Sequence, residues 1–507
     1  MPSIAAWIDR HAAERPDAPA VRFGDQILDY ARMAALIGGT AGWLRDAHGI
    51  GRGDRVAWLG TNAPDMLVLL FAAARLGAVL VPLNWRLAVP ELRYVMLDCD
   101  PRLLVAQPAF AAGAAALPHD PAACAVHVSD PAVGGLATVA RARPVEDFGT
   151  DADPLLVVYT SGTTGRPKGA VLTQGAVAAN AANARAMHRM SGDDHVLTVL
   201  PMFHVGGLNI QTTPVLQAGG TVTLHERFDP GAALAAITEL RPSLTVLVPA
   251  TLKAMIEHPR WAATDLSSLR AVATGSSDVP VELMVAFRDR GVPVIQVYGA
   301  TETAPVAVFQ TVDDPAGEFG SIGRPAPGCA IRLVDGDGAE VPDGEVGEIE
   351  VKGANVAIGY WDDQAATAAA FRDGWFRTGD LALRDRNGAF WFRDRLKNVI
   401  ISGGENIYPA ELERVLRTLD GVAEAAVVGR PDPRWGEVPV AVVVPAPGAA
   451  RDRAAVLAGF RDRLARFKHP KDVVFVEELP RNALGKVRVE LVKALASGRP
   501  GTQQGTR

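Results

Sequence analysis

From Asp17 to Val105, and again between Gln174 and Val297, short apolar runs alternate with stretches of helical length. Arg55–Leu59, Ala78–Val81 and Leu103–Ala106 read as strands, with Ala63–Leu76 and Pro90–Leu97 as the helices between them. The second stretch reads in the same way. Gln174–Met190, Gly231–Leu240 and Val281–Arg290 are helical, and His195–Leu200, Thr221–Leu224, Leu244–Val248, Ala271–Thr274 and Val294–Val297 are strands. Parallel neighbours need a crossover and antiparallel ones do not, so this alternation predicts βαβ units and mostly parallel sheets.

The 507 residues exceed the size at which one core keeps growing, so more than one domain is expected. Past Gly320 the texture changes. Asp335-Gly336-Asp337-Gly338 and Asp343-Gly344 punctuate short runs, as small antiparallel strands require. A compact pattern then follows: helix Ala410–Leu419, strands Ala423–Gly429 and Val438–Pro445, helix Ala454–Phe467 and strand Val473–Val476. It reads as a separate α+β domain. Pro108–Asp153 carries no assigned chemistry.

A net charge of -6 argues against a nucleic-acid partner, which would call for a basic excess. Cys99, Cys124 and Cys329 are isolated, with no metal-binding or CxxC spacing, and are expected as buried free thiols in a reducing, cytoplasmic setting. Met1–Arg15 reads as an amphipathic helix and not as a signal peptide. The most apolar stretch, Met66–Val81, is interrupted by Arg75 and Gly77 and ended by Pro82, so a buried helix followed by a buried strand is expected, and no membrane span.

Chemistry concentrates after strand Leu155–Val158, in Tyr159-Thr-Ser-Gly-Thr-Thr-Gly-Arg-Pro-Lys-Gly169. Glycines let backbone N–H groups converge on an anion, hydroxyls add donors, and Lys168 adds charge, so the segment suits a polyphosphate. No Gly-Lys-Ser or Gly-Lys-Thr is present, which excludes a Walker loop. Tyr298-Gly-Ala-Thr-Glu-Thr303 directly follows a strand, the usual place for ligands in open α/β sheets. Its Glu302 suits Mg²⁺, which takes one or two carboxylates beside phosphate oxygens; an exposed turn glutamate is an equally good reading of the spacing. Asp380 in Gly374–Asp380 suits ribose hydroxyls, though Asp beside Gly is also ordinary turn chemistry. Lys486 on a Gly-bearing loop and His204 past a strand end carry little signal alone.

Together, Tyr159–Gly169, Tyr298–Thr303, Gly344–Asp362, Gly374–Asp380, Asp394–Pro409 and Pro480–Lys486 resemble, in this order, the adenylate-forming superfamily of acyl-CoA synthetases, peptide-synthetase adenylation domains and luciferases. The resemblance implies a large N-terminal domain, residues 1–396, made of two α/β subdomains and a small β-barrel-like one. A small mobile α+β domain, 397–507, follows, hinged at Lys397. It implies that ATP and a carboxylic acid form an acyl-adenylate, and that a thiol, coenzyme A, then displaces AMP. Thr160, Ser161, Gly162, Thr163, Thr164, Gly165 and Lys168 would cradle the phosphates. Glu302 would hold Mg²⁺, and Thr301 would touch the α-phosphate. Tyr298, Gly299, Ala300, Gly275 and Ser276 would lie along the nucleotide, and Asp380 with Arg395 would take the ribose. His204 would sit by the acyl carbonyl, Lys486 would bridge the carboxylate and α-phosphate, and Gly403 and Gly404 would line the pantetheine path.

One departure is Gly275-Ser-Ser-Asp278, where many relatives have a Gly-Gly-Ala-Pro-like segment. Candidate pocket segments are apolar or small, which favours a fatty or aryl acid over a dicarboxylate. The expected partners are therefore a small-molecule carboxylic acid, ATP and CoA, with a homodimer left open. A stand-alone adenylation enzyme loading a carrier-protein thiol is the alternative, and a non-catalytic nucleotide sensor is the competing class.

Overall fold

The computed structural model describes residues 3–117, 124–140, 143–160, 167–275, 279–314, 320–402, 405–461, 463–464, 466–482 and 485–498. Two compact units emerge. The first comprises residues 1–332, 350–378 and 388–390, and the second 333–349, 379–387 and 391–507.

The first unit holds two sheets. A seven-stranded sheet runs in the order Gly359–Tyr360, Lys168–Thr173, Pro154–Thr160, Val79–Leu83, Arg55–Leu59, Leu103–Ala106, Ala125–Val128. Its last five strands are parallel, as the alternation predicts. A nine-stranded sheet runs Arg324–Pro325, Val308–Phe309, Val294–Tyr298, Ala271–Gly275, Leu244–Leu247, His195–Thr198, Thr221–Leu224, Pro19–Phe23, Gln26–Asp29. The stretch after Asp17 therefore does not build one sheet by itself. Pro19–Phe23 pairs in parallel with Thr221–Leu224 and completes the later sheet, so the two α/β parts interleave in sequence.

Helix Pro64–Leu76 explains the most apolar stretch. Every one of its residues is buried, including Arg75, whose guanidinium reaches Asp9 at 2.6 Å and the Val145 carbonyl. A Pro at its start and Gly77 at φ 66 after its end fix its length. One continuous core joins it to Ile8, Met33 and Ile37 and to both sheets, through Leu80 and Leu156 on one and Val196, Val222 and Ile295 on the other. Burial of such side chains at about 1.5–3 kcal/mol each is the main stabilising term. The N-terminal helix is observed over Ala5–Glu14.

Between Cys329 and Arg395 lie the expected short strands: Cys329–Val334, Val346–Gly353, Phe371–Arg372, Trp375–Arg384 and Phe390–Arg395 of a five-stranded sheet. The boundary between the units falls among them.

In the second unit, strands Val422–Asp432 and Gly436–Pro445 pair antiparallel, and Asp472–Phe475 joins Gly436–Pro445 in parallel. Their side chains alternate between two small cores. Val427, Ala441 and Val443 face Leu412, Leu416 and Phe460, while Ala426, Val428, Val440 and Val442 face Val492 and Ala496. The helix expected over Ala454–Phe467 is a single short helix, Arg453–Ala458, followed by turns and a 3₁₀ turn at Arg466–Lys468. Gly459 follows the helix and packs tightly against Leu419, where a Cβ would come within 2.5 Å, and glycine favours neither continuation nor a larger side chain there.

Cys99 and Cys124 are buried free thiols as expected, whereas Cys329 is only half-buried. Among the described residues, no helix is long and apolar enough to cross a membrane.

Candidate active site

Strand Pro154–Thr160 does not lead through its Gly-rich turn into a helix. It returns as strand Lys168–Thr173, with Tyr159 opposite Gly169 and Thr160 opposite Lys168. Two antiparallel strands thus flank the phosphate-loop candidate. Ser161, Gly162, Thr163, Thr164 and Gly165 lie outside the described residues, as do Ser276, Gly403 and Gly404. At the loop end of this strand pair the Tyr159 hydroxyl donates to Asp98 on the helix Val89–Cys99. Burial and the neighbouring negative charge push the Tyr159 phenol well above its ordinary pKa, so it stays a donor.

The other side of this strand pair receives Gly359–Tyr360. Tyr360 pairs with Ala170 and Gly359 with Val171, and the Trp361 amide donates to the Gly169 carbonyl at 2.7 Å. This places the Tyr360 ring 5.4 Å from the Lys168 ammonium. The phenol donates to Glu302 Oε1 at 2.8 Å. Lys168, Tyr360 and Glu302 therefore form one continuous array, and Glu302 is buried. Desolvation first, and the Glu302 carboxylate second, hold the Tyr360 phenol far above its ordinary value, so it donates throughout the physiological range. Sequence reasoning gave Tyr360 no role. It lay inside a family-like segment, Gly344–Asp362, but its contact with Glu302 spans 58 positions and is visible only in space.

Glu302 itself is fixed by its neighbours. Thr301–Thr303 is a 3₁₀ turn in which the Ala300 amide donates to Thr303 Oγ1 at 2.9 Å. The Asn355 amide group donates to the Thr303 carbonyl at 2.7 Å, and the Ala357 amide to the Glu302 carbonyl at 2.7 Å. Gly299 makes this packing possible, since a Cβ there would stand 1.6 Å from the Pro305 carbonyl oxygen. Gly275 lies opposite Val297 in the neighbouring strand, beside Tyr298, and a Cβ on it would meet the Val297 carbonyl oxygen at 2.2 Å.

His204 follows strand His195–Thr198 and precedes the short helix Val205–Asn209, with its ring 4.9 Å from that of Phe203. His204, Gly275 and the Tyr298–Thr303 segment all leave the carboxyl ends of parallel strands of one sheet, and Thr160 leaves that of the other. This is the ligand-binding edge of an open α/β sheet.

The second unit gathers the remaining candidates. Asp380 is buried and ion-pairs with Arg395 at 3.2 Å. Lys397 and Lys486 both feel these two groups. Each ammonium is held below the ordinary lysine value, by desolvation first and by the Arg395 charge second, while Asp380 pulls the other way. Lys486 sits on a tight turn in which its amide donates to Asn482 Oδ1 at 3.0 Å and Gly485 takes φ 77. Glu490 also raises the Lys397 pKa and Lys493 lowers it, so charges of both signs meet around Lys397. Asp394, which sequence reasoning passed over, ties this segment together. Its carboxylate accepts from the Arg395 amide at 2.7 Å, the Asn398 side chain at 3.3 Å and the Ala410 amide at 2.8 Å.

No group of three or more His, Cys, Asp or Glu side chains among the described residues could cage a metal. Buried Glu302, joined to Lys168 through Tyr360, fits Mg²⁺ held mainly by nucleotide oxygens.

Residues 8–361 match the AMP-binding enzyme family, and residues 411–486 match the AMP-binding enzyme C-terminal domain. An indoleacetate–CoA ligase of Aromatoleum aromaticum is 49% identical over 99% of both chains. A feruloyl-CoA synthase of an Amycolatopsis species is 45% identical over 96% of this chain and 97% of its own. Among solved structures, ATP-bound MatB of Rhodopseudomonas palustris superposes with a TM-score of 0.89 at 34% identity, covering 97% of this chain and 98% of that one.

Proposed function

The chain belongs to the AMP-binding enzyme family, and on that premise we propose that it is an ATP-dependent carboxylic acid–CoA ligase acting on an aryl-bearing or fatty monocarboxylic acid. The observation that carries this reading is the Lys168–Tyr360–Glu302 array. Through Tyr360 it links a cation suited to phosphate with a buried carboxylate suited to Mg²⁺, at the carboxyl edge of the sheets.

In the first half-reaction an acid oxygen attacks the α-phosphorus of ATP, the bond to the bridging oxygen breaks, and pyrophosphate leaves with its electrons. Two anions must meet, so the protein must offset their repulsion and hold them in line. Lys168 and Thr160, with Ser161–Gly165, bind the β- and γ-phosphates. Glu302 holds Mg²⁺, which when bound neutralises phosphate charge. Thr301 donates to the α-phosphate, and Tyr298, Gly299, Ala300, Gly275 and Ser276 line the nucleotide. Asp380 and Arg395 take the ribose, and Lys486 bridges the attacking carboxylate and the α-phosphate.

In the second half-reaction the CoA thiolate attacks the adenylate carbonyl and AMP departs. His204 faces the acyl group, Gly403 and Gly404 line the thiol's path, and Lys397 is the hinge between residues 1–396 and 397–507. CoA is favoured over a carrier-protein thiol because the relatives named above are CoA ligases. The three free cysteines support residence in a reducing compartment, the cytoplasm.

The acid is read from the segments around His204. Val205, Leu208 and Val306 are buried and apolar, and Gly207 packs against the Pro201 carbonyl, where a Cβ would come within 2.3 Å. Relatives named for indoleacetate and ferulate support the aryl side. A panel of indoleacetate, ferulate, a long-chain fatty acid, malonate and succinate, scored by kcat/KM, tests the reading. The aryl or fatty acids are expected to lead. A lead for malonate or succinate overturns the apolar pocket.

A further inference from the structure

Helix Gln174–His188 directly follows strand Lys168–Thr173 and turns two asparagines, Asn180 and Asn183, into the core. Three positions apart, they share one helix face. A buried side-chain amide is costly unless its donor and its acceptor are both used. Asn180 Oδ1 accepts from the Val306 amide at 2.8 Å, and its Nδ2 donates to the Asn209 carbonyl at 2.7 Å. Asn183 Oδ1 accepts from the Gly328 amide at 3.0 Å, and its Nδ2 donates to the Val306 carbonyl at 3.1 Å. Each asparagine thus has one N–H and one C=O of the main chain as partners, which fixes the orientation of its amide.

The two segments that Asn180 joins lack partners of their own. Asn209 ends the short helix Val205–Asn209, where carbonyls have no helical donor. Val306 lies between the 3₁₀ turn Thr301–Thr303 and strand Val308–Phe309, outside both. Buried main-chain groups at such places need side chains to satisfy them. Asn355 supplies a further tie, donating to the Thr303 carbonyl at 2.7 Å and to the Val306 carbonyl at 3.4 Å. Of the three asparagines, Asn180 is the one whose bonds also reach helix Val205–Asn209.

Val205 and Leu208 stand on that helix, next to His204, and Val306 is the residue at the other end of the Asn180 amide. All three belong to one core cluster. We propose that Asn180 is a positioning residue for the carboxylic acid: as a rung between helix Val205–Asn209 and Val306, it fixes the spacing of the apolar side chains on either side of the acyl group and so sets which acids fit. This rests on the reading of those segments as the acid's pocket. A planar amide bonded at both ends holds its two partners at a set distance, which a flexible apolar side chain does not. The nucleotide side has ties of its own, since the Glu302 turn is held by Asn355 and by the Ala357 amide. Asn180 therefore acts on the acid and not on ATP.

The test compares wild type with three variants. Asn180→Leu keeps the bulk of the side chain and loses both bonds, and Asn180→Ser keeps one hydroxyl. Asn183→Leu loses the Val306 and Gly328 bonds from the same helix but leaves the rung in place. Acid-dependent ATP–pyrophosphate exchange gives KM for the leading acid of the panel above and KM for ATP, and urea midpoints report stability. Asn180→Leu is expected to raise KM for the acid about tenfold, the size of a misfit of about one methylene, with KM for ATP within about twofold. Asn180→Ser should fall between Asn180→Leu and wild type. Asn183→Leu should lower the urea midpoint as much as Asn180→Leu does, yet keep KM for the acid within about twofold, because Asn180 and Asn355 still hold Val306. An unchanged KM for the acid in Asn180→Leu overturns the proposal. So does an equal rise in both KM values, or an equal rise in Asn183→Leu, either of which would mark a merely structural network. Should Asn180→Leu not fold, Asn180→Ser decides: a rise of about threefold in KM for the acid alone supports the rung, and an unchanged value overturns it. A wild type without exchange on any acid fails the ligase reading, whereas exchange by the Asn180 variants at the wild-type KM for the acid fails this proposal alone.

Discussion

Replacing Gly299 by Ala is expected to abolish most adenylation while leaving the protein folded. The added Cβ would stand 1.6 Å from the Pro305 oxygen, 2.6 Å from its carbonyl carbon and 2.7 Å from Thr303 Oγ1. Two of these atoms are backbone, so no side-chain rotation relieves the clash. Opening the closest contact to 3.0 Å moves the Pro305 carbonyl, or Gly299 itself, by about 1.4 Å. Both flank the 3₁₀ turn that carries Thr301 and Glu302. A catalytic group misplaced by about 1 Å costs roughly 100-fold in rate, or about 2.7 kcal/mol in the barrier. Overpacking of this kind typically costs about 1–3 kcal/mol of stability, which a large domain survives. The assay is acid-dependent ATP–pyrophosphate exchange together with a urea unfolding midpoint. Gly113→Ala is the control, since a Cβ there meets nothing within 4 Å. Exchange at the wild-type rate with an unchanged midpoint would refute the claim that this close approach positions Glu302.

Tyr360→Phe removes the 2.8 Å bond to Glu302 but keeps the ring beside Lys168. Hydrogen bonds to charged groups are worth about 1.5–3 kcal/mol, so the Mg²⁺ concentration for half-maximal exchange is expected to rise about tenfold; an unchanged Mg²⁺ titration contradicts the array. Tyr360→Leu also removes the cation–π contact and is expected to raise KM for ATP a further two- to fivefold or so, which initial rates at saturating Mg²⁺ measure. His188 is fully buried, its Nδ1 facing the Ala184 carbonyl at 2.8 Å and its Nε2 the Gln211 amide nitrogen at 2.9 Å, and burial lowers its pKa to about 4. The unfolded chain takes up this proton near pH 6.5 and the folded one near 4, so the stabilisation is complete above 6.5 and is lost as pH falls towards 4. The loss amounts to about 3 kcal/mol. Urea midpoints across that range should fall less steeply in His188→Gln than in wild type, and equal slopes would contradict the assignment.

The parts of the fold that were legible in the sequence are the buried parallel strands and the helix Pro64–Leu76, because burial on all sides leaves apolar runs that need no partner to be recognised. What the sequence hid has physical reasons. The helix Tyr30–His48 is rich in Ala and Gly and has a weak apolar stripe, although Asp29 caps its start and Gly49, at φ 62, ends it. Strand Lys168–Thr173 was absorbed into the polar segment before it, because its first residues, Lys168 and Gly169, look like loop chemistry. In the candidate site, Lys168, Glu302, Asp380 and Lys486 were readable as a family pattern. Tyr360 and Asp394 were not, since each acts through contacts between segments apart in the chain.

The central claim is that one site makes an acyl-adenylate and then passes the acyl group to CoA, with Lys486 serving only the first step. The direct measurement is Lys486→Ala assayed for both half-reactions: ATP–pyrophosphate exchange with the best acid, and thioester formation from supplied acyl-adenylate and CoA. Loss of one charged, bridging contact made in the transition state is expected to cut exchange by about 100-fold or more. Thioester formation from the adenylate should stay within about twofold of wild type, since no charge on Lys486 is used there. Equal loss of both half-reactions, or exchange left intact, would contradict the account.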